Sequence, residues 1–582
     1  MRLADYLISA LHDAGIDHAF AVSGGGVIFL DDAIAVSNMK YVACHHEQSA
    51  AMAAEAYARV RGLGLAVVTS GPGGTNAITG VVGAWTDHVP TVTLSGQAFS
   101  GQMIGNSGLR TLGVQEINII DLVRPVTKYA AIVTEKDSIR YHLEKALYLA
   151  KSGRPGPVWL DIPVDIQKAE INPDDLSGFE PDEGEAPVPN IGAVLGLLRK
   201  ASRPLLHVGQ GVRLAGAERK LLAFAQVAGI PIVTARAGND LIDSGHELYV
   251  GRPGTFAQRG ANFAVQTCDV YLAIGTRLGL AQTGYNAKDY ARKAKVVMVD
   301  IDRSELDKDT VPIYLKIQAD AGAFLDALTD ASRNVVWPDW SNWLERCKAW
   351  QTRYPVVLPE YRESKLVNSY VLVETLSDIC LPTDVIVTDV GYAYQCTSQA
   401  WKVKQGQRVL SNNGTAAMGW GLPAAVGAAI GSSRRTVLLA GDGGLMMNLQ
   451  ELSTIRHHNL PVKIFLLNNG GYLTQSKAQE FAFGRVMGSG KESLSFPDFQ
   501  MVADAFGIPA VKIESQQNLE SHLKSVLRWE GPVVCEIVMD ASQEQAPRAL
   551  NRRLPDGSMQ PTALEDAFPF LDPKEIQENL AV

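Results

Sequence analysis

The apolar positions in the last third of the chain form two short runs that flank a segment with helical spacing. The runs at 437–440 and 462–467 have the length of buried strands. Between them, Leu449, Leu452 and Ile455 repeat with the period of an amphipathic helix. This pattern predicts a βαβ unit, and a right-handed crossover brings the ends of both strands to the same edge of a parallel sheet.

Oxygen-bearing side chains follow both predicted strands. Asp442 follows the first run and precedes Gly443 and Gly444. Asn469 follows the second run, two residues before Gly471. Carboxylate, amide and backbone carbonyl oxygens suit Mg²⁺, which completes its coordination sphere with water and phosphate oxygens, and glycines at a strand-to-helix turn favour diphosphate binding. The sequence therefore predicts a metal-diphosphate site, although a Gly-Asp-Gly turn alone also occurs in ordinary α/β sheets.

Helical and apolar strand segments alternate along most of the 582 residues, a length too great for a single core. Such alternation predicts an α/β fold with doubly wound parallel sheets. A Pro-, Gly- and acid-rich linker and a Trp-rich helical linker interrupt the pattern and divide the chain into three sheet domains. The predicted segments are domain 1–168, linker 169–190, domain 191–335, helical linker 336–365, domain 366–543 and C-terminal tail 544–582.

Composition and charge narrow the classes of function. The formal net charge of −9 argues against nucleic acid as the main partner, because binding it requires a basic surface. No apolar run reaches the length of a membrane span, and the first residues read as a charged amphipathic helix rather than a signal peptide. We therefore expect a cytoplasmic protein without a membrane partner. The six cysteines form no CxxC pairs and are expected to be reduced and structural.

The motif GDG, followed after 24 residues by NN, resembles the signature of thiamin-diphosphate enzymes. Nearly the whole chain resembles the acetolactate (acetohydroxyacid) synthases. Within that family, SGGGVIFLDDA, RTLGVQEIN and the tail are similar to synthase-like proteins of surface-polysaccharide and deoxysugar pathways. The resemblance implies thiamin diphosphate and Mg²⁺ as cofactors. It also implies a pyrimidine-binding domain, a central nucleotide-binding-like domain and a diphosphate-binding domain, in that order.

Glu47 is the strongest catalytic candidate in the first domain. It begins an Ala-rich helix in the segment HHEQSAAMAAEAYARVRG, where an acid also simply complements the helix dipole. The resemblance implies that Glu47 hydrogen-bonds N1′ of the cofactor's aminopyrimidine, so that the 4′ nitrogen can remove the proton from C2 of the thiazolium. That role requires burial in an apolar pocket that raises the pKa of the carboxyl.

Four further positions in the first domain are assigned through the same resemblance. Gly25 lies in a run of three glycines whose backbone can approach a ligand closely, and it is placed with the catalytic residues. Gly73 and Asn76 belong to the loop GPGGTN, which is similar to a family loop around the pyrimidine ring. Gln115 matches an active-site glutamine, and a solvated loop residue is an equally good interpretation.

The third domain contributes a second group of expected cofactor contacts. Met418 matches the bulky residue that bends the cofactor into a V, and as a core methionine it would be buried as well. The resemblance places the carbonyl of Ala416 against the 4′-amino group. The family's Gln-His pair near the diphosphate is replaced by Tyr392 and Ala393, so those contacts are in doubt. The other expected contacts here are Gly391 and Tyr472.

The central domain carries the outline of a nucleotide-binding sheet without a complete GxGxxG motif, so a purely structural sheet is the alternative. Flavin-dependent synthases hold FAD in this domain, and the resemblance implies a structural flavin that takes no part in redox chemistry. The candidate FAD residues are Gly209, Gly211, Gly275, Thr276, Arg277, Asp300 and Asp302.

The expected reaction is decarboxylation of a 2-oxo acid, with pyruvate as donor, followed by transfer of the acyl carbanion to a carbonyl acceptor. Val114 replaces a family phenylalanine, and the sequence departs from the synthases from Gly470 onward. The acceptor is therefore open: a second pyruvate or a larger carbonyl compound such as a keto-deoxysugar. By resemblance, the assembly is a homodimer or homotetramer with active sites between subunits.

Three other functions stay open at this point. The chain could be a simple 2-oxo acid decarboxylase, a hydrolase that cleaves a C–C bond in a diketone, or a non-catalytic subunit that binds the cofactor only to assemble a complex. The tail is also open to two interpretations. It could close over the active site and exclude water, or it could be a docked extension.

Overall fold

The computed structural model describes residues 1–181 and 189–581 and contains three six-stranded parallel sheets with flanking helices. This architecture confirms the predicted α/β fold. Residues 182–188 of the predicted first linker and Val582 of the tail lie outside the described residues. No helix in the described part of the chain is long and apolar enough to cross a membrane. All six cysteines are buried free thiols.

The N-terminal sheet has the strand order β2-β1-β3-β4-β6-β5. Its central strands are buried on both faces. The strand Gly64–Val68 accordingly reads as a continuous apolar run, whereas the strand Thr91–Gln97 alternates apolar residues with buried Thr, Ser and Gln side chains. In chain order the elements are α1 (Leu3–Asp13), β1 (His18–Val22), α2 (Ile28–Val36), β2 (Lys40–Ala43), α3 (Glu47–Arg61), β3 (Gly64–Val68), α4 (Pro72–Thr86), β4 (Thr91–Gln97), α5 (Ile119–Val123), β5 (Tyr129–Ile132), α6 (Ile139–Lys151), β6 (Val158–Pro163) and α7 (Val164–Gln167).

The central sheet has the order β12-β11-β10-β7-β8-β9. The Trp-rich segment expected as a linker packs on this domain, because the indole N–H groups of Trp340 and Trp343 donate to the carbonyls of Ala201 and Pro204. The elements are α8 (Ile191–Leu198), β7 (Pro204–Val208), α9 (Gln210–Leu214), α10 (Glu218–Ala228), β8 (Ile232–Thr234), β9 (Tyr249–Gly251), α11 (Arg259–Thr267), β10 (Val270–Ile274), α12 (Leu280–Thr283), β11 (Lys295–Asp300), α13 (Arg303–Asp307), β12 (Leu315–Gln318), α14 (Ala321–Ser332) and α15 (Ser341–Arg353).

The C-terminal sheet has the order β14-β13-β15-β16-β18-β17 and contains the predicted βαβ unit, whose crossover is divided into two short helices, α19 and α20. The elements are α16 (Ser369–Ile379), β13 (Val385–Thr388), α17 (Tyr392–Ala400), β14 (Arg408–Ser411), α18 (Gly421–Ser432), β15 (Thr436–Gly441), α19 (Asp442–Met447), α20 (Glu451–His457), β16 (Val462–Asn468), α21 (Leu473–Phe483), α22 (Phe499–Ala505), β17 (Ala510–Ile513), α23 (Leu519–Arg528), β18 (Val533–Val538), β19 (Arg552–Arg553), β20 (Met559–Gln560) and α24 (Pro573–Leu580).

The tail is a docked extension in this structure. The Arg259 guanidinium donates to the carbonyl of Ala567 at 3.0 Å, and the Asn262 amide donates to that of Leu564 at 2.9 Å. The Trp350 indole N–H donates to Asn579 at 2.8 Å. These contacts hold the tail against helices α11 and α15 of the central domain.

Small residues let the N-terminal and C-terminal domains pack closely through α3 and α18. Ala50 and Ala54 on α3 are buried, and a side chain at Gly427 of α18 would collide with the carbonyl of Ala53. Such close approach of two helix backbones requires small residues at the contact. The Ala-rich sequence of α3 is therefore explained by this interdomain packing.

A buried ion cluster lies at the same interface. Arg59 pairs with Glu55 and, at 2.7 Å, with Asp87, and none of the three side chains is more than 6% exposed. Glu55 also accepts the indole N–H of Trp420 at 3.1 Å, and Asp87 accepts the backbone N–H of Asn413 at 2.8 Å. One arginine of the N-terminal domain therefore neutralises two carboxylates that hold the C-terminal domain.

Replacing Arg59 with Met should lower the thermal unfolding midpoint markedly, because Glu55 and Asp87 would stay buried without a cation. Removing one partner of a buried ion pair typically costs about 3–5 kcal/mol. The matched control is Arg61→Met two residues away, whose partner Asp17 and own side chain are both more than 40% exposed. Equal midpoints for the two variants by scanning calorimetry would contradict this interpretation.

Candidate active site

The two predicted strand ends lie side by side, because β15 and β16 are parallel neighbours. The Asp442 carboxylate accepts backbone N–H groups from both ends. The donors are Gly443 at 2.6 Å, Gly470 at 2.7 Å, Asn469 at 3.1 Å and Gly471 at 3.2 Å. One carboxylate therefore fixes the turn after each strand.

Asp442 and Asn469 fit a divalent cation. Burial raises the pKa of the Asp442 carboxyl, its N–H donors oppose that rise, and among the described residues no Lys, Arg or His pairs with it. The side-chain oxygen Oδ1 of Asn469 is buried without a hydrogen-bond partner. The Gly471 carbonyl accepts the N–H of Leu473 at 3.0 Å and keeps a second lone pair. A buried carboxylate beside an unpartnered amide oxygen is the donor set that Mg²⁺ satisfies.

Glycines line this edge of the sheet because other groups approach their backbone. The ring of Tyr472 packs against Gly443, and the carboxylate of Asp389 lies where a side chain at Gly444 would be. Gly391, which precedes α17, has φ +69°, and a side chain there would lie 3.6 Å from Thr474 Oγ1. The expected contacts Gly391, Gly443, Gly444 and Tyr472 thus surround Asp442.

The replacement of the family's Gln-His pair changes the interior of the domain. Tyr392 and Ala393 are both buried, and the Tyr392 hydroxyl donates to the carbonyl of Gln543 at 3.1 Å. These two side chains contribute to the core around α17.

Glu47 begins α3, where the His46 ring caps the helix by accepting the N–H of Gln48 at 3.1 Å. Glu47 Oε2 accepts the side-chain amide of Asn76 at 3.0 Å, and a side chain at Gly73 would lie 3.5 Å from Oε1. The expectation that Glu47 is buried is wrong for the single chain, because its side chain is only half-buried.

The loop that carries Gln115 lies on the same edge of the N-terminal sheet. Gln115 has φ +57°, is exposed, and packs its carbonyl against Gly71, just before α4. Gly73 and Asn76 lie in the first turns of α4, so the expectation that they belong to a loop is wrong. Sequence reasoning missed Glu116, whose buried carboxylate accepts the N–H groups of Leu112 at 2.8 Å and Gly113 at 3.1 Å. In the sequence, an acid next to a glutamine that is assigned to the active site gives only a weak indication that the acid has a role there.

The three consecutive glycines Gly24, Gly25 and Gly26 have different surroundings. Side chains at Gly24 and Gly26 would collide with Thr69 and Ser70, whereas nothing lies within 4 Å of a side chain built at Gly25. Gly24 and Gly26 therefore serve the packing of the loop. Gly25 is the exposed position, and it faces open space.

Sequence reasoning also missed Asp389, the first residue after β13. Burial raises the pKa of its carboxyl to about 7. It accepts the N–H of Val390 at 2.8 Å and that of Gly419 at 3.3 Å. The available signal was an Asp directly after an apolar strand.

Ala416 and Met418 lie in the loop before α18. Ala416 is exposed with φ +49°, and Met418 is half-buried, so the expectation of a buried methionine is wrong.

The candidate residues form two groups within one chain. One surrounds Glu47 in the N-terminal domain, and the other surrounds Asp442 in the C-terminal domain. In the part of the chain that the structure describes, no hydrogen bond or ion pair joins a candidate residue of one group to a candidate residue of the other. The two groups are therefore separate within one chain.

A cavity of about 360 Å³ lies where the three domains meet. Arg59 and Asp87 from the first domain, Arg236 from the second, and Tyr394 and Asn413 from the third are among its lining residues. Six of the seven candidate flavin residues also line it: Gly209, Gly211, Gly275, Thr276, Arg277 and Asp300.

Asp302 does not line the cavity. It caps α13 by accepting the N–H of Ser304 at 2.9 Å, and it pairs with Arg154 at 2.7 Å. The glycines of the cavity have a local structural role as well. A side chain at Gly211 would lie 2.7 Å from the Cα atom of Gly275, so the loops after β7 and β10 touch through their backbones.

Three family descriptions match successive parts of the chain. They are the thiamine pyrophosphate enzyme N-terminal TPP binding domain at residues 1–118, the central domain at 191–328 and the C-terminal TPP binding domain at 389–537. Thiamine pyrophosphate is thiamin diphosphate. The matches follow the order of the three sheets.

Similar proteins are acetolactate synthases from distant organisms. Acetolactate synthase isozyme 2 large subunit of Escherichia coli K12 is 32% identical over 93% of this chain and 96% of that protein. A probable acetolactate synthase large subunit of Methanocaldococcus jannaschii is 32% identical over 93% of both, and chloroplastic acetolactate synthase 2 of Zea mays is 33% identical over 94% of this chain and 86% of that protein. The chain therefore belongs to the acetolactate synthase-like carboligases of the thiamine pyrophosphate enzyme family.

Proposed function

We propose that the protein binds Mg²⁺ and thiamin diphosphate, decarboxylates pyruvate and transfers the resulting two-carbon acyl unit to a carbonyl acceptor. The observation that carries this proposal is the pair of Asp442 and Asn469: a buried carboxylate that pairs with no Lys, Arg or His among the described residues, beside an unpartnered amide oxygen. When bound, the cofactor supplies the electron sink for decarboxylation. The protein contributes binding, orientation and control of one proton.

The residues that would hold the metal are Asp442, through a carboxylate oxygen, Asn469, through Oδ1, and Gly471, through its carbonyl; a hard cation of this kind also takes phosphate and water oxygens. Gly443, Gly444 and Gly391 allow the diphosphate to approach the backbone. Tyr472 covers Gly443 and restricts how the diphosphate leaves. These roles follow from the positions of the groups around one buried carboxylate.

Glu47 holds the proton shared with N1′ of the aminopyrimidine, and Asn76 orients its carboxyl. Gly73 keeps the space beside Oε1 open. The half-buried state of Glu47 in one chain agrees with an active site completed by a second subunit, which would exclude water from it. We therefore propose a homodimer or homotetramer in which Glu47 of one copy meets the Asp442 group of another.

The remaining residues shape the reaction space. Met418 would support the cofactor, and the backbone carbonyl of Ala416, an exposed residue, would accept its 4′-amino group. Gly25 and Gln115 lie on the exposed edge of the N-terminal sheet, where a substrate carboxylate can approach. An amide side chain there supplies a hydrogen bond to the acid before decarboxylation.

A keto-deoxysugar acceptor is the second candidate, in place of a second pyruvate. One observation favours it. Helix α21 follows Tyr472, contains no buried residue and has the polar residues Thr474, Gln475 and Ser476 after its first residue, Leu473. A polar, open segment beside Gly391 suits an acceptor with several hydroxyl groups better than a small apolar one. Simple decarboxylation and a non-catalytic role are outcomes of the product test below, and hydrolysis of an added diketone would show the remaining alternative.

The cavity at the domain junction is the proposed FAD site. Its volume of about 360 Å³ lies in the range of ligand pockets. Arg236 lines it, stacks on Phe256 and Tyr394, and has a buried Nε without a partner. No carboxylate among the described residues pairs with Arg236, so its charge is available to the diphosphate of a dinucleotide.

Replacing Glu47 with Gln should slow exchange of the C2 proton of bound thiamin diphosphate by about 10²–10⁴-fold, because an amide cannot share the proton with N1′. Quenched-flow NMR in D₂O measures that rate. The matched control is Glu135→Gln at an exposed loop position, which should exchange like the wild type. Wild-type exchange in the Glu47 variant would refute the role of Glu47.

The purified protein with Mg²⁺ and thiamin diphosphate should release CO₂ from pyruvate. Products are then identified by NMR and mass spectrometry with pyruvate alone and with added keto-deoxysugars. Acetolactate or an acetylated sugar adduct supports carboligation, whereas acetaldehyde alone with every acceptor shows a simple decarboxylase. Bound cofactor without turnover on any 2-oxo acid would support the non-catalytic alternative.

Heat denaturation of protein reconstituted with FAD should release one flavin per chain, measured by absorbance of the supernatant. Arg236→Leu should lower that amount, because it removes the unpaired cation that faces the diphosphate. The control is Arg333→Leu, an exposed arginine remote from the cavity lining. Absence of released flavin from the reconstituted wild type would contradict the assignment of this cavity.

A further inference from the structure

Gly419 follows Met418 in the chain and determines where that methionine lies. Its φ is +82°, and a side chain at this position would lie 2.7 Å from Cβ of Met447. Only glycine adopts this conformation in the available space without strain. The backbone beside Met418 therefore makes a sharp, closely packed turn against α19.

Two buried side chains bind both polar backbone atoms of Gly419. Its N–H donates to Oδ2 of Asp389 at 3.3 Å, and its carbonyl accepts the side-chain N–H of Asn448 at 2.8 Å. Asp389 is 2% exposed and Asn448 is 1% exposed. Because water does not reach these groups, removing either partner leaves a buried polar atom unsatisfied.

The same two side chains also contact the turn that follows β15 and helix α3 of the same chain. Oδ2 of Asp389 lies against Gly444, in the turn that Asp442 begins. Oδ1 of Asn448 accepts the hydroxyl of Ser49 at 3.0 Å, and Ser49 lies on α3 two residues after Glu47. Gly419 is thus tied to the Asp442 turn on one side and to the Glu47 helix on the other.

We propose that Asp389 and Asn448 are positioning residues that fix Met418 relative to the Asp442 turn through Gly419, with helix α3 of the same chain as the support behind Asn448. This inference rests on the proposed function, in which Met418 supports the cofactor. Neither residue touches the reacting atoms. A displacement of about 1 Å in a group that shapes a reactive conformation can cost about 10²-fold in rate.

The test compares Asn448→Ala with Asn579→Ala. Asn579 is a matched control, since it is equally buried and bridges Trp350 and Tyr354 far from Gly419. We expect kcat of Asn448→Ala to fall about 10- to 100-fold, with KM for pyruvate and the affinity for Mg²⁺ and thiamin diphosphate changed less than about threefold. Tryptophan fluorescence titration measures the affinity.

A second readout needs neither turnover nor cofactor. In the cofactor-free protein, amide hydrogen exchange of peptides that cover residues 415–421 should accelerate in Asn448→Ala and in the isosteric Asp389→Asn, but not in Asn579→Ala. The Asp389→Asn variant keeps the volume of the side chain, so it tests the inference if Asn448→Ala does not fold.

Unchanged exchange at 415–421 in both Asn448→Ala and Asp389→Asn would overturn the inference, as would kcat of Asn448→Ala within twofold of that of Asn579→Ala. A fall in cofactor affinity that accounts for the whole loss of rate would also overturn it. Failure of the proposed function would appear in the wild type, as no CO₂ from any 2-oxo acid. The exchange comparison still decides the positioning role in that case.

Discussion

The buried carboxylate of Asp442 is the interaction on which the site depends. Four backbone N–H groups from two neighbouring turns converge on it, and its burial places a negative charge where water does not solvate it. Such a group needs a cation or a proton. The turns after β15 and β16 are therefore shaped around a charge that a bound metal would compensate.

The second constraint is the close packing of α3 on α18. Alanines and glycines bring the two helix backbones together. Glu47 lies at one end of α3, and the Arg59 cluster lies further along the same helix. Asn448 then bridges Ser49 on α3 to Gly419 just before α18. The two groups of candidate residues are thus held by the same interdomain contact, although within one chain they do not meet.

Much of this arrangement could be predicted from sequence, because it is encoded locally. Apolar runs followed by Asp442 and Asn469 placed both oxygens at one edge, and the Ala-rich segment after Glu47 forms α3 as expected. The division of the crossover into α19 and α20 was not predictable, since Leu449, Leu452 and Ile455 fit one helix equally well.

Residues that act through long-range contacts were missed for a different reason. Asp389 and Asn448 both bind Gly419, about 30 residues away in sequence, so no local pattern shows these contacts. Glu116 binds backbone N–H groups of its own loop, and no sequence motif marks that role. Exposure was also misjudged at Glu47 and Met418, because neither the start of a helix nor a loop methionine has a sequence pattern that fixes how deeply its side chain is buried in the folded chain. Asp302 follows a strand, as expected for a residue that contacts a nucleotide, but its side chain caps helix α13 and does not line the cavity.

The central claim is that Glu47 and Asp442 form two halves of one catalyst contributed by different copies of the chain. Mixing Glu47→Gln with Asp442→Asn protein tests it most directly. In random hybrids one of the two sites has both wild-type halves, so pyruvate decarboxylation should recover to about a quarter of the wild-type rate. If differently tagged copies co-purify as hybrids and the mixture stays as inactive as either parent, the claim is contradicted.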